Sequence, residues 1–73
     1  MADLAIKSEI SGSVWKILKQ PGEAVAEEEP VMILESMKME IPVMAPRDGI
    51  IASITVAEGD AVAEDQVVAT LGG

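Results

Sequence analysis

Val31-Met32-Ile33-Leu34-Glu35-Ser36-Met37-Lys38-Met39-Glu40 is the stretch that decides the fold, because it admits two readings. Taken alone it is full of good helix formers, and Ile33, Leu34, Met37 and Ile41 would make an apolar stripe behind Pro30, a suitable first helical residue. The rest of the chain overrules that helix. Residues 11–34 and 48–71 are two copies of one pattern at a constant offset of 37, with no gap. Nine of the 24 aligned pairs are identical: Gly12/Gly49, Ile17/Ile54, Gly22/Gly59, Ala24/Ala61, Val25/Val62, Ala26/Ala63, Glu27/Glu64, Val31/Val68 and Leu34/Leu71. A repeat of this kind dictates architecture more firmly than local propensity does. Val31–Leu34 answers Val68–Leu71, which reads as strand, while Ile41 and Val43 answer Leu4 and Ile6. The stretch is therefore two strands joined by three or four residues, with Met37-Lys38 near the tip of the hairpin.

Short Val- and Ile-rich runs, separated by turn residues, extend this reading to the whole chain. The runs are Leu4–Lys7, Ser13–Lys19, Ala24–Ala26, Val31–Glu35, Glu40–Val43, Ile50–Ala57, Ala61–Ala63 and Val67–Leu71. Their spacing predicts a small all-β sandwich or barrel. Gln20-Pro21-Gly22-Glu23 suits a type II turn that needs φ > 0 at its glycine, and Ala57-Glu58-Gly59-Asp60 stands at the same place in the second copy. Gly12 and Gly49 are read as matching bends, and Ala45-Pro46-Arg47-Asp48-Gly49 as a further turn.

The repeat also distinguishes one residue. Lys38 lies at the junction of the copies, on or near a pseudo-twofold axis, and its counterpart at offset 37 is Met1. The axis that exchanges the copies sends the central hairpin to the chain ends, so the termini should lie opposite Lys38. Two-residue hairpin loops favour Asn-Gly or Asp-Gly because both positions take φ > 0, and Met-Lys carries a side-chain penalty there. Places where local chemistry contradicts the fold tend to be functional.

Composition bounds what such a site can do. Seventy-three residues make one small domain, residues 1–73, which buries only roughly 60% of its unfolded surface. There is no cysteine and no histidine, which removes disulfides, thiolate metal sites and the commonest general base. Trp15 is the only aromatic residue, expected in the core or at an edge, and base-stacking platforms are absent. The net charge of −8 argues against nucleic acid and against anionic membrane. Glu27-Glu28-Glu29 and Glu64-Asp65 read as solvated faces and match no calcium loop. The N-terminus lacks the features of a signal peptide and no apolar run approaches a membrane span, so a cytoplasmic protein is expected. The first strand begins close to Met1, which favours a free-standing protein.

What remains is a primary amine. An ordinary exposed lysine is almost wholly protonated at neutral pH, and the neighbouring Glu35 and Glu40 would favour the charged form. Lys38 would need an external enzyme to deprotonate it and deliver an activated acyl group. This points to an acceptor rather than a catalyst.

Glu35-Ser36-Met37-Lys38-Met39-Glu40 resembles the attachment motif of biotinyl domains, the biotin carboxyl carrier family. Gly22-Glu23 and Gly59-Asp60 resemble the family's paired Gly-Asp turns, and Ala45-Pro46-Arg47-Asp48-Gly49 its Ala-Pro-x-x-Gly segment. The resemblance covers nearly the whole chain. It implies a flattened barrel or sandwich of two four-stranded antiparallel sheets, of the minimal kind without the thumb insertion, working as a monomer. It implies biotin joined to Lys38 in amide linkage by biotin protein ligase, with Glu35, Ser36, Met37, Met39 and Glu40 recognised by ligase and partners. A biotin carboxylase would carboxylate the ureido nitrogen, and a carboxyltransferase would pass the carboxylate to an acyl-CoA. Acetyl-CoA carboxylase, and so fatty acid biosynthesis, is the commonest setting. The chain itself would be a non-catalytic carrier.

The sequence departs from the family at several positions. Ser36 stands where alanine is usual, Ser8-Glu9-Ile10-Ser11-Gly12 where Ala-Pro-Met-Pro-Gly is usual, and Glu28-Glu29 and Asp65-Gln66 where a second glycine is common. The nearest alternative is a lipoyl carrier or a domain that accepts both groups, although lipoyl domains carry Asp-Lys-Ala at the tip. An alternative of another class is an unmodified acidic module that docks through Met32, Met37, Met39 and Met44.

Overall fold

The computed structural model describes residues 3–72, and every regular element in it is a strand. The strands are β1 (Leu4–Lys7), β2 (Gly12–Ile17), β3 (Ala24–Val25), β4 (Pro30–Ser36), β5 (Met39–Met44), β6 (Gly49–Ile54), β7 (Ala61–Val62) and β8 (Val67–Gly72). They form two four-stranded antiparallel sheets, ordered β1-β8-β6-β3 and β5-β4-β2-β7. Shifting every strand by 37, upward for β1 and β3 and downward for β8 and β6, turns the first order into the second. The registers obey the same offset: Leu4 faces Leu71 as Ile41 faces Leu34, and Val14 faces Leu34 as Ile51 faces Leu71. Even the bulges repeat, between Val14 and Lys16 in β2 and between Ile51 and Ser53 in β6.

Burial explains why the repeat is so strict. Every buried residue among those described has a buried partner 37 positions away: Ile6 with Val43, Ser8 with Ala45, Val14 with Ile51, Val25 with Val62, Val31 with Val68, Met32 with Ala69 and Leu34 with Leu71. Each fully buried large aliphatic side chain is worth about 1.5–3 kcal/mol, and a one-residue slip would turn a strand's whole inner set outward. The core thus fixes both registers at once. The helix reading of residues 31–40 fails for this reason, since Val31, Met32 and Leu34 are fully buried between sheets as part of β4.

The turns carry out most of what their sequences promise. Gly22 has φ 94° and Gly59 φ 92°. Glu23 N–H donates to the Gln20 carbonyl at 3.1 Å, and Asp60 N–H to the Ala57 carbonyl at 3.0 Å. The acidic side chains close these turns a second time, Glu23 accepting from Gln20 N–H at 2.8 Å and Asp60 from Ala57 N–H at 2.9 Å.

Three expectations need correction. Gly12 and Gly49 are not bends but the first residues of β2 and β6, without positive φ. They are glycines because a Cβ would stand 2.5 Å from the Glu35 carbonyl oxygen at Gly12 and 2.8 Å from that of Gly72 at Gly49. Trp15 is neither buried nor on an edge strand: it falls at the bulge of β2, between β4 and β7, and is 49% exposed. The second runs of each copy stop early, β2 at Ile17 and β6 at Ile54, because the chain turns there toward its next short strand.

The fold places the central hairpin at one end of a 36 × 18 × 17 Å body. β5 leads from Met39 away from the tip to Met44, and a short turn brings the chain to Gly49, against Gly72. The end of β8 therefore lies at the far end from Lys38. Met1, the counterpart of Lys38 in the repeat, lies outside the described residues.

Candidate functional site

The site begins with hairpin register. β4 and β5 pair through Leu34 with Ile41, Glu35 with Glu40 and Ser36 with Met39, leaving Met37 and Lys38 as a two-residue loop. The connection is shorter than the three or four residues expected from sequence. Met37 has φ 53° and Lys38 φ 65°, the pattern of the mirror-image turns whose twist matches the strands. Left-handed φ costs a residue with a side chain on the order of 1–2 kcal/mol. The hairpin is forced into it because Leu34 and Val43 are locked into the core on either side of the tip.

The tip is held from below by contacts that sequence reading missed. The Ser36 hydroxyl donates to the Ser11 carbonyl at 3.0 Å, tying the last residue of β4 to the segment before β2. Gly12 lets that segment come close, since its missing Cβ would also stand 3.3 Å from Ser36 Cβ. The Ser11 hydroxyl accepts in turn from Glu64 N–H at 3.3 Å. Serine at position 36 thus makes a hydrogen bond that an alanine could not.

Above this base everything is exposed. Met37 is 92% and Met39 62% accessible, the two most exposed large apolar side chains among the described residues. Lys38 is exposed, and among the described residues it lies within 4 Å of no carboxylate. Glu35 and Glu40 face each other across the hairpin, an unfavourable like-charge pairing worth a few tenths of a kcal/mol or more in a sheet. The structure therefore assembles all six residues singled out from sequence, Glu35, Ser36, Met37, Lys38, Met39 and Glu40, within one hairpin end.

Of the acidic clusters, the Glu64 backbone N–H reaches the base of this site through the Ser11 hydroxyl. Glu28 and Asp65 take φ 66° and 67°, which explains why glycine suits those positions. Glu29 accepts from Ala26 N–H at 2.9 Å and pairs with Lys19 at 3.1 Å. Those two contacts, the backbone bond first, hold its carboxyl below the ordinary value. Among the described residues, no group of three metal-ligating side chains is placed to hold an ion, and no helix is long and apolar enough to cross a membrane.

An exposed amine at a hairpin tip with apolar flanks is suited to receive an acyl group from another enzyme and to present it outward. Comparison with known proteins identifies the family. The model of the biotin/lipoyl family, described as biotin-requiring enzyme, matches residues 4–71. A biotin/lipoyl attachment protein of Bacillus subtilis is 38% identical over 68 residues, 93% of either chain. In a crystal structure of Kluyveromyces lactis urea carboxylase, 6% of that chain superposes on 99% of this one with TM-score 0.93 and 30% identity. The lipoyl domain of the 2-oxoglutarate dehydrogenase complex of Azotobacter vinelandii superposes over its 98% with TM-score 0.74 and 32% identity. With its two four-stranded sheets and its central lysine hairpin, this chain belongs to the biotin/lipoyl family of attachment domains.

Proposed function

We propose that the chain is a biotin carboxyl carrier in which biotin is joined in amide linkage to Nζ of Lys38 by a biotin protein ligase. The carrying observation is the tip itself: Lys38 stands exposed in a strained two-residue turn between Met37 and Met39. A turn selected for stability alone would hold Asn-Gly, so the side chains there serve recognition. Biotin supplies a ureido nitrogen that can take up and release carboxylate. The chain supplies a rigid base for the arm and no chemistry of its own. A carrier docked between a biotin carboxylase and a carboxyltransferase makes each transfer nearly intramolecular. Met37 and Met39 give adaptable apolar contact to several partners in turn, while Glu35 and Glu40 favour basic clefts. Acyl-CoA carboxylases are the proposed setting, with acetyl-CoA as the first acceptor to test.

The test is intact mass after co-expression with a biotin protein ligase and excess biotin. One biotinyl group should appear on the wild type and none on Lys38→Arg, while Lys7→Arg, Lys16→Arg and Lys19→Arg remain labelled. Label that persists in Lys38→Arg overturns the site. Lipoylation of the same lysine is a second reading, favoured by the likeness to a biotin/lipoyl attachment protein and to a lipoyl domain. Lipoate feeding with a lipoate ligase, read by the same mass measurement, separates the two.

A further inference from the structure

The pseudo-twofold creates two related clefts along the seam between the edge strands β1 and β5. One opens toward the hairpin tip, has a volume of about 100 Å³ and lies among Lys7, Glu9, Ile10, Ile41, Pro42 and Met44. Buried Leu34 and Val43 form its floor. The other lies farther from the tip, has a volume of about 320 Å³ and runs among Ala5, Ile6, Ser8, Pro46 and Asp65, sharing Lys7, Glu9 and Met44 with the first. Its Ala5, Ile6, Lys7, Met44 and Pro46 are positions 42, 43, 44, 7 and 9 of the first cleft moved by one repeat.

The two clefts differ in ways the fold does not require. At the tip-side cleft the repeat places Ile10, Ile41 and Pro42 where the other copy has Arg47, Leu4 and Ala5. The tip-side wall is also braced. The fully buried Ser8 hydroxyl donates to the Ile10 carbonyl at 2.6 Å and accepts from Ile10 N–H at 3.3 Å, fixing the segment that carries Glu9 and Ile10. Its counterpart Ala45 has no such hydroxyl. The tip-side cleft, though the smaller, is thus the one with the larger apolar walls, and the Ser8 hydroxyl fixes the Ile10 that lines it.

We infer that this tip-side cleft is a resting site for the prosthetic group carried on Lys38 of the same chain, an inference that rests on the biotin carrier reading. Reach permits it. Ile41 lies three residues from Lys38 along β5, roughly 10 Å at the rise of a strand, which is less than the span of an extended lysine joined to a valeryl arm. Chemistry permits it as well. The thioether ring of biotin is apolar and matches Ile10, Ile41 and Met44. Its cyclic urea needs an acceptor for N–H and a donor for the carbonyl, and the Glu9 carboxylate and Lys7 ammonium stand on the rim. The folded-back arm exchanges with the outward one, so occupancy of the cleft lowers the fraction available to a partner.

The experiment is methyl and amide NMR on the full chain before and after biotinylation, with intact mass recorded on the same sample. Biotinylation is expected to shift the Ile10, Ile41 and Met44 methyls and to give nuclear Overhauser contacts from the biotin ring to Ile10 and Ile41. The Val25 and Val62 methyls, buried on the opposite strands, should not move. Ile10→Asp should remove those contacts and speed avidin capture by roughly threefold by releasing the resting fraction. Wild-type data need no variant, so a misfolded Ile10→Asp does not obscure the answer. A sample with full biotin mass whose shifts stay within residues 36–39 overturns the resting site and leaves the carrier reading standing. A sample that takes up no biotin overturns both.

Discussion

Two kinds of left-handed turn stand side by side in this molecule. At Gly22 and Gly59 the chain reaches φ 94° and 92° with glycine, and nothing lies within 4 Å of where a Cβ would be. At Met37 and Lys38 it reaches φ 53° and 65° with two long side chains. The first pair solves a backbone problem at low cost. The second accepts strain although glycine would relieve it, and the core registers of Leu34 and Val43 hold it in place. The difference separates turns that serve the fold from a turn that serves a partner.

That contrast is open to attack at both ends. The largest expected effect is functional: replacing Met37-Lys38 by Asn-Gly should abolish biotin uptake by mass while raising stability by about 1–2 kcal/mol in thermal or urea unfolding. A variant with unchanged or lower stability would remove the argument from strain. At the glycine turns, Gly22→Val and Gly59→Val should each cost about 1–3 kcal/mol and leave labelling at Lys38 intact in the folded fraction, because those turns lie away from the tip. Unchanged melting temperatures would show that left-handed φ is not what these glycines provide.

Between the extremes stand Glu28 and Asp65, left-handed without glycine and without a role at the tip. Glu28→Gly or Asp65→Gly should stabilise by about 1 kcal/mol or less, with labelling kinetics unchanged. Loss of labelling would move these turns into the functional class. The smallest effect is at Glu29, whose carboxyl is held below its ordinary value by Ala26 N–H and then by Lys19. A depressed folded-state pKa means that the stabilisation is present above the unfolded value of 4.5 and is lost as pH falls through the lower folded value. The stability gap between wild type and Glu29→Gln should therefore be constant near neutrality and close below pH 4.5. A gap that persists in acid would assign it to packing instead.

The legibility of this molecule follows the same division. The repeat at offset 37 carries the sheet order, the core pairs and the location of the hairpin, because each copy must bury the same positions against the other. The same repeat corrects the helical appearance of residues 31–40, which no local rule could do. Gly12 and Gly49 were legible as special positions but not as close approaches, since the carbonyls of Glu35 and Gly72 that forbid a Cβ are distant in sequence. Trp15 misleads because aromatic burial is a tendency of composition, whereas a β-bulge redirects one side chain locally.

The sequence by itself determined the strand content, the twofold repeat, the two glycine turns and the motif around Lys38, because hydrophobic periodicity and turn chemistry are written in residues close together in the chain. Only the tertiary structure decided that the tip is a two-residue loop, that Ser36 is tied to Ser11, that Glu28 and Asp65 turn left-handed, and that a cleft lies between β1 and β5. Those features arise where segments from different strands are brought together by the shared core. Their geometry is set by packing between residues that no local pattern connects.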